Sequence, residues 1–524
     1  MRAILLSFLL ASFAAAAHAQ SMDWVVPVAL GTPANGDFSS TSMAADEDGN
    51  VLVIGIEGEP YYYGSRVFGD LGSRLYGPDG EVLMNGTFTG RGAVVAVVSQ
   101  GGSFFVLGQF KDSLLITGHP QLTVTGEPNN VGSFVCRIEP DGSVPWMKDL
   151  DALGALGDAS SLAVNAGGTL FISAWDFIDS VVLLVDAEGD LITEWTMAGV
   201  GLISDVSANA DGMVAIAGSC LSNTVDLNGT VLTTPNDYTI FVARFSPNGV
   251  LQDHLIITDI TCPFPDVELD EQGGLYCSAD AFIDVAVGPF MVHDPEWVFG
   301  NFLFRMDEQG EVEWLDQPVS GPTVGDVARG SGRDLLIHPA GGVWQCGSMR
   351  GSIDWGDDVS TAAPIPGNSL YVWHVNGDGS TVGVVTGDAP NFAQSAICLA
   401  TGGDALYVLG TGYDTLRLGG GELPAQGHHL HLSRWSAIAY AIAEERPDHR
   451  PTLRPNPATD RIEVVPSALY GTVRGELIDP QGRTIKTFTS VGNATLDLGG
   501  IPSGVYQVRL VQDGTVQHGR FVKQ

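Results

Sequence analysis

The sequence predicts an all-β protein: a seven-bladed β-propeller followed by a small Ig-like β-sandwich. Three observations predict it. Two hairpin phrases alternate along residues 21–445, seven copies of each. Gly preceded by Asp, Asn or Gly recurs at the turn of most copies. The charge balance changes sign near residue 446, where shorter strand-like runs begin.

Composition sets the outer bounds. The chain has 524 residues, 67 Gly, 28 Pro and only 16% charged residues. A disordered chain shows the opposite balance of charge and apolar content, so a folded protein is expected. Net charge is −37, from 24 bases and 61 acids. Nucleic acid and anionic membranes need a basic surface, so both are disfavoured as partners. Residues 21–445 carry −41 with two lysines, Lys111 and Lys148, whereas residues 446–524 carry +3. The acidic part stays hydrated and resists association, and a monomer is expected.

The N-terminus reads as a signal peptide over residues 1–19. Arg2 supplies the positive end, and residues 4–17 form an apolar stretch too short to span a bilayer comfortably. Ala17 and Ala19 flank His18 in an A-x-A cleavage site, so the mature chain is expected to begin at Gln20. No later apolar run reaches the length of a membrane span.

The first phrase of the repeat appears as DEDGNVLVIG (46–55), NADGMVAIAG (209–218), DEQGGLYCSA (270–279) and TGGDALYVLG (401–410), among others. Its turn positions lie near 59 residues apart. The second appears as CRIEPDGSVPW (136–146), ARFSPNGVL (243–251) and FRMDEQGEVEW (304–314). Each phrase is a β-hairpin, because Asp/Asn-Gly tolerates the positive φ of a tight turn. Two hairpins make a four-stranded unit that cannot bury both faces alone. Radial stacking buries them and leaves only short edges. A linear β-solenoid is the alternative, with repeats usually much shorter than these.

Segments such as VDLNGTVLTTPNDYTIFVARFSPNGVL (225–251) followed by DVELDEQGGLYCSA (266–279) resemble the β-propeller repeats of large exported bacterial proteins. The resemblance covers most of 21–445. It implies a scaffold and no particular reaction.

Residues 446–453 are rich in Pro and Arg and suit a linker. Beyond them, RPNPATDRIEV (454–464), LIDPQGRTIKTF (477–488), LDLGGIPSGVYQVRLV (496–511) and RFVKQ (520–524) follow in order. This tail, 454–524, resembles the type A C-terminal sorting domain of the type IX secretion system of Bacteroidota. The motif residues are Pro455, Asn456, Pro457, Asp460, Asp479, Gly482, Arg483, Gly504, Tyr506 and Lys523. The resemblance implies export through the periplasm to the cell surface or medium, with the secretion machinery as partner.

Candidate chemistry in the large part is sparse. His428, His429 and His431 are the only histidine cluster, and His429 and His431 share a strand face, as a metal pair would. Alignment also puts His431 where Phe134, Phe241 and Phe302 stand, which favours a structural role. Arg137, Arg244, Arg305 and Arg434 recur five residues before the turn position, with His374 standing in once. They read as an anion-binding ring or, better, as partners for carboxylates. Asp46, Asn165, Asn209 and Asp270 precede turns as caps, with calcium the alternative. Cys136, Cys277, Cys346 and Cys398 read as buried hydrophobes, while Cys220 and Cys262 are the candidates for a disulfide. Tyr61, Tyr62, Tyr63, Trp355 and Tyr413 are candidate rim aromatics for sugars or a partner, or equally anchors for loops.

No nucleophile, base and oxyanion site converges, so no catalytic, cofactor or metal residue is assigned. The expected function is a non-catalytic surface or secreted binding scaffold for a protein or glycan. The alternative is a carbohydrate-active hydrolase or lyase with its carboxylates at the channel mouth.

Overall fold

The computed structural model describes residues 21–30, 38–124, 131–155, 157–220, 222–234, 239–258, 264–293, 300–321, 324–363, 367–387, 394–418, 421–424, 427–436, 452–465, 472–478, 483–512 and 515–524. They fall in two compact units, Met1–Ile438 and Ala439–Gln524. Strands dominate both; the one helical turn among the described residues is the 3-10 turn Asp151–Leu153.

The first unit is a β-propeller of antiparallel blades. Blade one is Thr41–Ala45, Val51–Tyr63, Arg66–Tyr76 and the first half of Val82–Gln100. The second half of that strand opens blade two, followed by Ser103–Leu115, Val131–Ile138 and Trp146–Asp149. Blade three is Asp158–Val164, Leu170–Trp175, Ser180–Val185 and Leu191–Ala198. Blade four is Val200–Ala208, Val214–Cys220, Thr239–Phe245 and Leu251–Ile257. Blade five is Asp266–Leu269, Leu275–Asp280, Asn301–Met306 and Val312–Asp316. Blade six has a broken first strand, Asp326–Arg329 and Leu335–Ile337, then Val343–Asp354, Ser369–Val375 and Thr381–Thr386. Blade seven is Ser395–Gly402, Ala405–Tyr413 and His428–Ser436, completed by the N-terminal strand Ser21–Pro27.

The first strands form a closed cycle. Each touches the first strand of the next blade, and Ser395–Gly402 touches Thr41–Ala45. Trp24 pairs with Arg434 and Val25 with Ser433, so the chain's beginning is stitched to the last repeat. This is the closure that the repeat pattern predicts. It rules out a linear solenoid, whose ends would lie apart.

Alternation along each strand builds the packing. In Val214–Cys220, Val214, Ile216 and Cys220 join a cluster with Phe171 and Val182 of blade three. Ala215 and Ala217 point the other way, into a cluster with Leu275 and Phe304 of blade five. Successive side chains alternate faces, and both faces of each sheet are covered, so the strands read as near-continuous apolar runs. Cys136, Cys277, Cys346 and Cys398 are buried thiols in these layers, as the sequence suggests. Cys220 is free and buried, and Cys262 lies outside the described residues.

A recurring tryptophan latches blade to blade. The indole N–H of Trp24 donates to Pro78 O, that of Trp146 to Ala187 O, and that of Trp314 to Gly377 O, each at 2.9 Å. In every case a fourth strand reaches the turn between the third and fourth strands of the following blade.

The second unit is a β-sandwich. One sheet holds Thr452–Arg454, Arg461–Val465 and Ala494–Asp497. The other holds Thr472–Ile478, Thr484–Val491, Gly504–Gln512 and Thr515–Lys523. Ile462, Val464, Leu477, Leu496, Val508 and Phe521 form its core.

Candidate functional site

An antiparallel meander sorts its connections by end. The links between strands one and two, and three and four, lie at one end of the ring; those between two and three lie at the other. The first set are tight turns of a few residues. Their caps behave as the sequence suggests: Asp46 Oδ1 accepts from Asn50 N at 2.8 Å, and Asn165 and Asn209 accept from Thr169 N and Met213 N at 3.0 Å. The second set carries the elaborations, including small hairpins Thr224–Leu227 with Thr230–Thr233 and Val285–Val287 with Phe290–Val292.

That elaborated end exposes apolar tips. Phe177 and Ile178 between strands two and three of blade three are 63% and 70% exposed, and Phe282 and Ile283 occupy the matching place in blade five. Tyr61 and Tyr62 cap a long hairpin in blade one, with the Arg91 guanidinium 3.9 Å over the Tyr61 ring. Trp355 takes the loop-anchoring alternative: it is buried against Tyr371 and Trp373, and its N–H donates to Thr361 Oγ1 at 2.7 Å. Tyr413 meets His428 edge-on at 4.8 Å.

The ring centre carries a second group that sequence reasoning missed. Asp205 lies on the first strand of blade four, and Asp266 and Glu268 on that of blade five. Arg329, Arg333 and Asp334 come from the break in the first strand of blade six. Asp205 Oδ2 accepts from Val267 N at 2.9 Å and its Oδ1 from Ser161 Oγ at 2.8 Å, linking three blades. Glu268 accepts from Ser207 Oγ at 3.0 Å and pairs with Arg333. Arg329 reaches Asp266 at 2.7 Å, Asp280 at 3.2 Å and Asp334 at 3.8 Å. Burial, with the Asp266 and Glu268 charges, pushes the Asp205 carboxyl up to about 8. Burial pushes Asp334 up to about 6 against the pull of Arg329, and Asp266 well above its ordinary value. The available signal was the dipeptide Asp-Val in the first strands of three successive blades, at 205–206, 266–267 and 326–327.

The recurrent arginines do not line the centre, because they lie on third strands. Each meets carboxylates: Arg137 with Glu139 at 2.8 Å, Arg244 with Asp253 at 2.6 Å, Arg305 with Asp270 at 3.1 Å, and Arg434 with Asp23 at 2.6 Å. In blade six the pair is exchanged on both sides. His374 holds the arginine place and His338 the turn-cap place, their rings stacked at 4.3 Å. Burial lowers them to about 3 and about 4, so both stay neutral above that range.

His431 pairs with Gly410, as Phe134 pairs with Gly108 and Phe241 with Gly218. It is a buried ring in an aromatic's place, with neither nitrogen hydrogen-bonded, and burial lowers it to about 3. His429 lies 6.0 Å away, ring to ring, and His428 on Tyr413. Among the described residues no three His, Cys, Asp or Glu side chains are grouped to hold a metal.

In the second unit, sorting motifs far apart in sequence converge. Pro455 and Pro457 follow cis peptide bonds, and Asn456 Oδ1 between them accepts from Val522 N at 2.9 Å. Ala458 N donates to Val522 O at 2.8 Å, and Gly504 pairs with Lys523. Asp460 O accepts from Leu498 N at 2.8 Å. Tyr506 stacks on Phe521 and donates its hydroxyl to Pro502 O. Arg483 is exposed. Asp479, Gly482, Ala17 and Ala19 lie outside the described residues.

The chain thus consists of a propeller unit and, later in the sequence, a small β-sandwich unit. Residues 452–524 match the family of secretion system C-terminal sorting domains, which makes the tail a type IX secretion sorting domain and directs the chain to the cell surface or extracellular space. No curated protein matches the chain. Solved structures similar to it include a Bacteroides caccae protein of unknown function, at 11% identity over 47% of this chain and 89% of that one, TM-score 0.26. They also include the Dos1 propeller, at 10% identity over 80% and 95%, TM-score 0.37. A variant of the Synechocystis apocarotenoid oxygenase matches at 13% identity over 92% and 94%, TM-score 0.36. No helix among the described residues is long and apolar enough to cross a membrane.

Proposed function

We propose that the ring is a non-catalytic binding scaffold whose ligand, a protein or glycan, is engaged by the elaborated end. The observation that carries this reading is the segregation of loops. Insertions and exposed Phe, Ile and Tyr tips gather at one end, while the other end keeps tight turns. Insertions that map to one face of a repeat ring mark a binding face. The central carboxylates support the same reading, since Asp205 and Glu268 are engaged by neighbouring strands and Asp334 is fully buried. The reading needs no cofactor.

The hydrolase or lyase alternative has one observation in its favour: carboxyl groups with raised pKa gathered at the ring centre. The deciding experiment is a glycan and protein-partner binding screen on the purified chain. Phe177→Ser and Tyr62→Ser are expected to weaken a detected interaction, and Asp211→Asn, on a tight turn of the opposite end, to leave it unchanged. Hydrolysis of a screened glycan that is lost in Asp266→Asn supports the alternative instead.

A further inference from the structure

The seam between blades five and six is held differently from the others. Blade six breaks its first strand at residues 330–334, and the break delivers Arg329, Arg333 and Asp334 against blade five. Four carboxyls (Asp266, Asp280 and Asp334 on Arg329, Glu268 on Arg333) meet two guanidiniums there, with Asp205 of blade four bonded to Val267 N beside them. Asp334 is fully buried, and no N–H or O–H donor lies within hydrogen-bond distance of either carboxyl oxygen, Arg329 standing off at 3.8 Å. Asp266 Oδ2 and Asp334 Oδ2 converge on the same nitrogen, Nη1 of Arg329, at 2.7 and 3.8 Å, which brings the two carboxyls side by side. Two carboxyl oxygens attract one another only through a proton, and a close pair cannot both ionise.

We infer that this seam is a proton-dependent clasp: one proton held between Asp266 and Asp334 lets Arg329 fasten blade six to blade five. Loss of the proton leaves two adjacent carboxylates, with Asp280 beside them, on a single guanidinium, and the proton passes to solvent. The other groups facing the pair are Asp205 of blade four, itself raised to about 8, Cys346 and Tyr371 of blade six, both buried and raised, and Cys398 of blade seven beside Arg333. The thiols and the phenol stay neutral through the range in which the clasp titrates, and Asp205 loses its proton in the upper part of that range. An acid whose proton is held by the fold contributes stability that is complete below the ordinary carboxyl pKa near 4. That contribution is lost as pH rises through the raised value.

Hydrogen exchange on the full chain tests the clasp. After correction for intrinsic exchange, opening of segments 264–270 and 326–337 is expected to rise about tenfold per pH unit from pH 5 until the clasp has titrated. Segment 92–100, in the seam of blades one and two, is expected to show no such rise. Asp334→Asn keeps the shape and gives Asp266 a permanent N–H donor, so it is expected to flatten the rise. An equal pH response in both seams, or an unchanged slope in Asp334→Asn, overturns the clasp. Infrared difference spectra between pH 5 and pH 9 read it a second way. Asp205 contributes a fading protonated-carboxyl band in either case. A band smaller in Asp334→Asn than in the unmodified chain supports the clasp, and an equal band in the two overturns it.

Discussion

His431 shows how one position carries the logic of the repeat. Its imidazole lies on Gly410, where a Cβ would sit 2.6 Å from the ring, just as Phe134 lies on Gly108. The glycine is the space the ring fills. A buried imidazole without hydrogen bonds costs about 1–3 kcal/mol relative to a satisfied one. His431→Phe is therefore expected to raise the thermal midpoint of the ring, and Gly410→Ala to lower it, both read by differential scanning calorimetry. The pH sign follows from the direction of the shift. The folded pKa is depressed to about 3, so the contribution is complete above the ordinary histidine pKa of about 6.5 and is lost as pH falls toward 3. His431→Phe is expected to remove one proton, about 1.4 kcal/mol per pH unit, from the slope of stability between pH 6 and 4. An unchanged slope would show that the ring is not buried neutral.

At the scale of elements, the fourth-strand tryptophans and the broken strand of blade six do opposite jobs. The tryptophan latch recurs with uniform geometry at three junctions among the described residues: Trp24, Trp146 and Trp314 each donate at 2.9 Å to a turn carbonyl of the next blade. Trp314→Phe keeps the packing on Tyr276 and removes the donor, and is expected to cost about 1 kcal/mol. Trp314→Ala also opens a cavity and is expected to cost about 3–5 kcal/mol, measured as shifts in the urea midpoint. The hairpins and their caps were legible in the sequence because their chemistry is local; Asp46 and Asn50 are four residues apart. The recurrent arginines were legible as carboxylate partners for the same reason, since Arg244 and Asp253 face each other across one hairpin. The central cluster was not legible. Asp205, Asp266 and Arg329 lie about 60 residues apart and meet only once three blades are side by side. Arg329 and Arg333 sit in ARGSGRD, which reads as a turn between strands. The exchange of Arg and Asp for His374 and His338 was half legible, because only one partner of the pair was recognised from its place in the repeat.

The whole molecule depends on closure for the ring and on convergence for the tail. Ser21–Pro27 supplies the outer strand of blade seven, and Arg434 is held by Asp23 from that strand. Deleting residues 21–27 is expected to expose His428–Ser436 as an open edge and to make the ring sensitive to limited proteolysis. The tail has its own core of Ile462, Val464, Leu477 and Phe521, and its motif segments at 456–460, 498 and 522–524 are joined by hydrogen bonds to one another. A unit that buries its own apolar residues folds by its own contacts. Truncation near residue 446 is therefore expected to leave a folded ring that stops in the periplasm of the native host. Fusion of residues 446–524 to an unrelated exported protein is expected to carry that cargo outside. Cell fractionation with immunodetection reads both. Asn456→Ala, which removes the acceptor for Val522 N, is expected to reduce surface delivery by loosening the junction of the first and last motifs. Normal delivery of the truncated ring would mean that the sorting signal lies in the ring, and the convergence of the tail's motifs would then serve stability alone.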